Sequence, residues 1–281
     1  PILVLTCMTL GVKVGGNIGL REKVSVDGGE RRPNIVLVVA DALRQQNMSL
    51  YGYHRKTTPF LDRLAAQSDV YTQMHVNSTS TRPNLTTILS GKHPLSHRRL
   101  TKYQPVYENS ENVLAVLRDH GYTTAAVTSN VDATFYMLGL AKYLGYGEYP
   151  NFRRLTLSFL RDNGVYPTSP GMRMYDDLSQ FFFFLGYPEK TLGYGPATDT
   201  VNLAVRLLSE IPEPFFLFVH LHDPHAPYEA PPPYRGKYAK LTRDEVNGKT
   251  PASHNARYEP ELQPFVDAHR DHYDETIEYL D

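Results

Sequence analysis

The run Pro33-Asn-Ile-Val-Leu-Val-Val-Ala-Asp41-Ala-Leu-Arg44 decides the fold. Residues 35 to 40 are an unbroken apolar stretch. They predict a strand buried on both faces, as a parallel sheet covered by helices requires. Asp41 then leaves the carboxyl end of a central strand. In open α/β sheets that edge is where ligands bind, and a carboxylate there is a hard oxygen donor for a divalent cation. Asp is also a favoured helix N-cap, so Ala42-Leu-Arg44 as a helix start is an equal reading of the same residues.

Helix and strand patterns alternate downstream. Glu111 to Gly121 reads as a helix with a glycine stop, followed by a strand over 122–127. Ala197 to Glu210 repeats this, with Val201, Ala204, Val205 and Leu208 on one face, ahead of the strand at Phe215. Such alternation implies right-handed crossovers and a mostly parallel sheet sandwiched by helices. Residues 143–196, rich in Tyr, Gly and Pro, predict an insertion able to cover a site, with Phe181 to Phe184 as its small core. Residues 229–260 predict a long surface loop.

Two further segments carry chemistry. In His75-Val-Asn-Ser-Thr-Ser-Thr81-Arg-Pro-Asn-Leu-Thr-Thr-Ile-Leu-Ser-Gly91, a hydroxyl-rich stretch runs into Pro83, and Leu85, Ile88 and Leu89 follow at helical spacing. A hydroxyl at that helix start faces the unpaired N–H groups that attract phosphate or sulfate. Ordinary capping explains the same residues if nothing else converges on them. The other segment is Phe215-Phe-Leu-Phe-Val-His220-Leu-His222-Asp223-Pro-His225-Ala-Pro-Tyr228. Its prolines cannot extend the strand, so the histidines turn out at the sheet edge that carries Asp41. Histidines packed this densely suit an anion or a metal, with one or two of them serving only to orient the loop.

Together these segments resemble the alkaline phosphatase-like superfamily, and most closely its sulfatase branch. The resemblance is carried by Pro33 to Arg44 with Met48-Ser-Leu-Tyr-Gly-Tyr-His and Thr57-Thr-Pro-Phe-Leu-Asp-Arg-Leu-Ala, by Thr81 to Pro94, by His222 to Tyr228, and by Gly121 to Asn130. It implies an α/β fold with a mostly parallel sheet. It makes Asp41 a ligand of a divalent metal ion (calcium, zinc, manganese or magnesium) and Thr81 both nucleophile and metal contact. It makes His225, assisted by His222, a group that binds or protonates the ester, and Asn130 and Arg44 substrate-binding residues.

The chain departs from the family pattern at several of these places. Formylglycine-dependent sulfatases need Cys or Ser where Thr81 stands, because threonine cannot be oxidised to an aldehyde. The expected basic residue four positions after the nucleophile is Leu85, a second acid after Asp41 is Ala42, and a Lys/His pair is replaced by Ser129 and Asn130. These changes fit branches that take the group covalently on a plain hydroxyl. The implied activity is a sulfate- or phosphate-ester hydrolase or transferase. The alternative is a non-catalytic domain of the same fold.

The implied catalytic unit covers residues 32–281 and reads as the N-terminal portion of a larger enzyme, its C-terminal part missing together with the remaining metal ligands. Residues 1–31 read as a membrane-anchor or signal remnant and linker, or, equally, as a buried strand at Pro1 to Val12, since about a dozen apolar residues are too few to span a bilayer, which takes roughly twenty. An extracytoplasmic or periplasmic location, with or without a membrane anchor, follows from the first reading. With 281 residues, 41% hydrophobic content and a net charge of −1, the chain can bury a core and has no bias toward nucleic acid. A single cysteine, Cys7, excludes an intrachain disulfide framework.

Overall fold

The computed structural model describes residues 32–101, 111–135, 137–148, 196–246 and 259–281. The expected remnant at 1–31, the Phe181 to Phe184 core and most of the 143–196 insertion lie outside the described residues.

The described elements are β1 (Ile35–Ala40), α1 (Pro59–Ala65), α2 (Thr81–Ser90), α3 (Pro94–His97), α4 (Val113–Asp119), β2 (Thr123–Thr128), β3 (Tyr146–Glu148), α5 (Ala197–Glu210), β4 (Phe215–Leu221), α6 (Arg243–Val246) and α7 (Gln263–Leu280). Two short 3-10 turns, Gln45–Asn47 and Ser49–Tyr51, follow β1. The sheet order among the described residues is β1-β4-β2-β3, and every pairing is parallel. All strand ends therefore open on one edge. β3 uses residues that the sequence assigns to the insertion, so the sheet reaches further along the chain than expected.

Strand alternation sorts the core into two layers. Ala126, Phe216 and Phe218 face a cluster with Leu85 and Leu89 of α2 and Leu114 of α4, against which Ile35, Leu37 and Val39 also pack. Ala125, Val127, Leu217, Val219 and Leu221 face the other way, onto Ala197, Ala204 and Leu207 of α5. Each buried leucine is worth about 2–5 kcal/mol against alanine.

Two expectations are corrected here. β1 is not buried on both faces: Val36 is 49% and Val38 56% exposed. β1 pairs only with β4 among the described residues, and only its α2-side face is covered. Among the described residues the strand carrying Asp41 is the last in the sheet order, next to β4. In α5, Val201, Val205 and Leu208 are exposed, and the buried positions are Ala197, Thr200, Ala204 and Leu207. Small residues at 197, 200 and 204 let the helix approach the sheet more closely than the valine face allows. The stretch 229–260 also holds more structure than a loop, since Ala230 and Val246 are buried and α6 forms within it.

Polar contacts tie α7 and the residue that ends it to other parts of the chain. Asp281 accepts from the Phe60 and Leu61 N–H groups at the start of α1, at 2.6 and 2.9 Å. Glu275, 1% exposed, accepts the N–H groups of Tyr238 and Ala239 at 2.7 and 2.8 Å.

Candidate active site

The parity that builds the core also builds the site. Asp41 continues the 35-37-39 face of β1, His220 the 216-218 face of β4, and Asn130 the 126-128 face of β2. All three emerge on the side covered by α2. Thr81, the first residue of α2, completes the group.

Thr81 Oγ1 donates to Asp41 Oδ2 at 3.1 Å. Asn130 Nδ2 donates to the same oxygen at 2.9 Å. His220 Nε2 lies 3.7 Å from it. His220 is 1% exposed, and burial pushes its imidazole down to about 4, so it stands neutral beside the carboxylate at pH 7. Its Nδ1 is buried without a hydrogen bond. Asp41 is not a helix cap: its N–H donates to Leu221 O at 2.9 Å, and the chain turns rather than starting a helix. Ala42 follows at φ 58°, the left-handed region, which costs a non-glycine residue roughly 1–2 kcal/mol. Its carbonyl accepts from the Tyr273 hydroxyl at 2.7 Å.

α2 begins as the sequence indicates and ends on Gly91 at φ 66°. Ser80 makes no side-chain cap bond. Leu85 and Leu89 anchor the helix, while Ile88 stays 39% exposed. Arg82, next to the hydroxyl, is 1% exposed and forms an ion pair with Asp132.

The loop after β4 places His222 and His225 ring against ring, centroids 4.7 Å apart. His222 Nε2 and His225 Nδ1 both lie on the Ala226 carbonyl, at 3.2 and 2.8 Å. A carbonyl only accepts, so each of those nitrogens carries hydrogen, and Nε2 is the exchangeable nitrogen of His225. The His222 N–H donates to Ser129 Oγ at 3.1 Å, next to Asn130, so the loop that carries the pair leaves β4 at the same sheet edge as the Asp41 group. Asp223 instead caps α5, accepting the Ala197 N–H at 2.8 Å. Arg44 is not drawn into the Asp41–Thr81 group: its backbone N–H donates to the Tyr273 hydroxyl at 2.8 Å and its side chain is exposed.

The structure thus brings together Asp41, Thr81 and Asn130, with His222 and His225 adjacent. Sequence reasoning missed Arg82 and Asp132, and it left His220 undistinguished among three histidines. Position in the strand is the signal that separates them: His220 is the last even-numbered residue inside β4, whereas His222 and His225 lie beyond its end.

The Sulfatase family model matches residues 33–281. The chain belongs to the sulfatase family. Its sulfatase relatives include the N-acetylgalactosamine-6-O-sulfatase of Bacteroides thetaiotaomicron, 31% identical over 39% of this chain and 23% of that protein. The iduronate 2-sulfatase of Homo sapiens is 23% identical over 73% of this chain and 37% of its own length. The N-acetylgalactosamine-6-sulfatase of Rattus norvegicus is 25% identical over 77% and 45%. The chain therefore spans less than half the length of these relatives. Among solved structures, the phosphonate monoester hydrolase of Agrobacterium radiobacter superposes with a TM-score of 0.56 at 20% identity, covering 89% of this chain and 57% of that one. The periplasmic domain of EcEptC from Escherichia coli, in complex with Zn, gives 0.51 at 17%, covering 90% and 58%. At these identities the likeness is one of fold alone, a parallel sheet flanked by helices.

Proposed function

We propose that this sulfatase-family chain is part of an enzyme that hydrolyses or transfers sulfate or phosphate esters through a covalent adduct on Thr81. The observation that carries the reading is the hydrogen bond from Thr81 Oγ1 to Asp41 at the open edge of a parallel sheet.

The residues at that edge fit part of a divalent cation site. Asp41 is a carboxylate whose one basic neighbour among the described residues is a neutral imidazole, and a hydroxyl oxygen shares it. Asp41 and Thr81 would hold the ion, with further ligands required. Bound there, a divalent cation supplies positive charge that lowers the pKa of the Thr81 hydroxyl and offsets charge on a non-bridging ester oxygen.

Thr81 loses its proton along the hydrogen bond to Asp41, and its oxygen attacks sulfur or phosphorus in line with the ester oxygen that leaves. The new bond is Thr81 Oγ1 to sulfur or phosphorus, and the ester bond breaks. The start of α2 meets the negative charge that builds up. When His225 enters the step as the imidazolium it gives the Nε2 proton to the leaving oxygen and is left as the neutral ring with Nδ1–H on Ala226 O, while His222, on the same carbonyl, holds that ring in place. Water then takes the group from Thr81 in a hydrolase, and an alcohol takes it in a transferase.

A non-catalytic role is the second reading, favoured by one observation: among the described residues no three His, Cys, Asp or Glu side chains converge on a metal position. Assaying the full-length protein on an aryl sulfate, a phosphate monoester and a phosphodiester after metal reconstitution separates the two. Turnover of at least one substrate is expected, and none on any metal supports the non-catalytic role. An extracytoplasmic location belongs to the same proposal, supported by the apolar run at 1–12; recovery in a cytoplasmic fraction counts against it. Among the described residues no helix is long and apolar enough to cross a membrane.

A further inference from the structure

Asn130 stands where the family resemblance places a basic residue, and both ends of its carboxamide are held. Nδ2 donates to Asp41 Oδ2 at 2.9 Å, and Oδ1 accepts the Asp132 N–H at 2.8 Å. A main-chain N–H can only donate, so the oxygen must face Asp132 and the NH2 must face Asp41. The residue is 4% exposed, and the Thr128 hydroxyl closes the turn by accepting the Asn130 N–H at 3.2 Å and donating to its carbonyl at 3.0 Å.

Asp132 does a second job with its carboxylate, which pairs with Arg82. Arg82 directly follows Thr81. One turn, residues 130–132, therefore grips both partners of the Thr81–Asp41 hydrogen bond: the carboxylate through Asn130 and the helix start through Arg82. A neutral donor at 130 also leaves the charge on Asp41 intact, whereas a lysine or arginine in the same place would cancel it and compete with a cation.

We infer that Asn130 is a positioning residue that holds the Asp41 carboxylate turned toward the Thr81 hydroxyl, with Asp132 fixing the direction of its amide. The inference rests on reading Asp41 and Thr81 as the reaction centre. Donors of this kind, one step removed from the reacting atoms, typically carry roughly 10–100-fold in activity or metal affinity.

The test uses Asn130→Ala and Asn130→Asp in the full-length, metal-loaded protein. The Asp variant keeps the shape of asparagine but offers Asp41 a second negative charge in place of a donor. Both variants are expected to lose kcat by roughly 10–100-fold with KM nearly unchanged, and the Asp variant to lose at least as much as the Ala variant. A space-filling role would spare the Asp variant. A crystal structure of Asn130→Ala is expected to show Asp41 rotated away from Thr81; if that variant does not fold, the Asp variant answers the same question. Wild-type kcat in either variant, or an unchanged Asp41–Thr81 contact, overturns the inference. If the wild-type protein turns over no ester, the functional reading fails, and the crystal comparison still decides whether Asn130 positions Asp41.

Discussion

Asn47 donates from Nδ2 to Oδ1 of Asp274 at 2.7 Å, and both residues are buried. The bond ties the turn after β1 to α7. The other carboxylate oxygen accepts from the Tyr53 hydroxyl and from Arg55 Nη1, each at 2.7 Å. Asp274 is thus a buried charge with three donors and no exposure to water. Removing it strands Asn47 and Tyr53, while Arg55 keeps Asp271 at 2.6 Å, so Asp274→Ala is expected to cost about 3–5 kcal/mol. Asp274→Asn, which keeps an acceptor, should cost about 1–3 kcal/mol. Urea denaturation of the two variants checks the order, and equal losses would contradict it.

Two tyrosines report on the same interface in alkali. Burial first, and then the bond to Asp274, raises Tyr53 to about 12, and burial raises Tyr273 to about 12. Each keeps its proton in the folded state beyond the ordinary value of 10. The unfolded chain gives up those protons first, so this contribution to stability is complete below pH 10 and is lost as pH rises through 12. Absorbance titration of phenolate is expected to show a fraction of the tyrosines ionising late. Tyr273→Phe should remove one late group and, by losing the bonds to Ala42 O and Arg44 N–H, cost about 1–2 kcal/mol. A late fraction unchanged in that variant would reassign the group.

Much of this fold was legible because it rests on local pattern. The run at 35–40 gave a strand, Gly91 and Gly121 gave helix stops, and the helix start at Thr81 came from Pro83 and the spacing of Leu85 and Leu89. What local pattern does not carry is which face finds a neighbour. Val36 and Val38 read as buried because six apolar residues in a row look alike, and only the packing shows that among the described residues one face of β1 is left exposed. In α5 the valines at 201 and 205 suggested the core face, but close packing on β4 selected Ala197 and Ala204. The site divides the same way. Asp41 and Thr81 stand in recognisable runs, whereas the Arg82–Asp132 pair joins residues 50 apart in sequence and leaves no local trace.

Asp41→Ala is expected to remove metal and activity while leaving the fold intact. The carboxylate sits at a strand end, and the atoms lost line no part of the two apolar clusters. Elemental analysis of the full-length variant checks the first part and circular dichroism the second. Metal content equal to wild type would take Asp41 out of the site.

Thr81 carries the most specific prediction. Its hydroxyl already donates to Asp41, and an unmodified hydroxyl beside a cation acts by attack or as a ligand. Thr81→Ala should therefore abolish turnover. Ser80 cannot substitute, because it is the residue before the helix, with extended backbone at φ −111° and ψ 134°, and its side chain is directed differently from that of Thr81. Thr81→Ser keeps the oxygen and should keep part of the activity, with a lower kcat because serine lacks the branched carbon that restricts the rotamer. Quenching the wild-type enzyme during turnover of a slow substrate should leave a phosphoryl or sulfuryl mass on the peptide containing Thr81. An alanine variant as fast as wild type, or an adduct mapped to another residue, would sink the assignment, because nothing else at this sheet edge pairs a hydroxyl with the Asp41 carboxylate among the described residues.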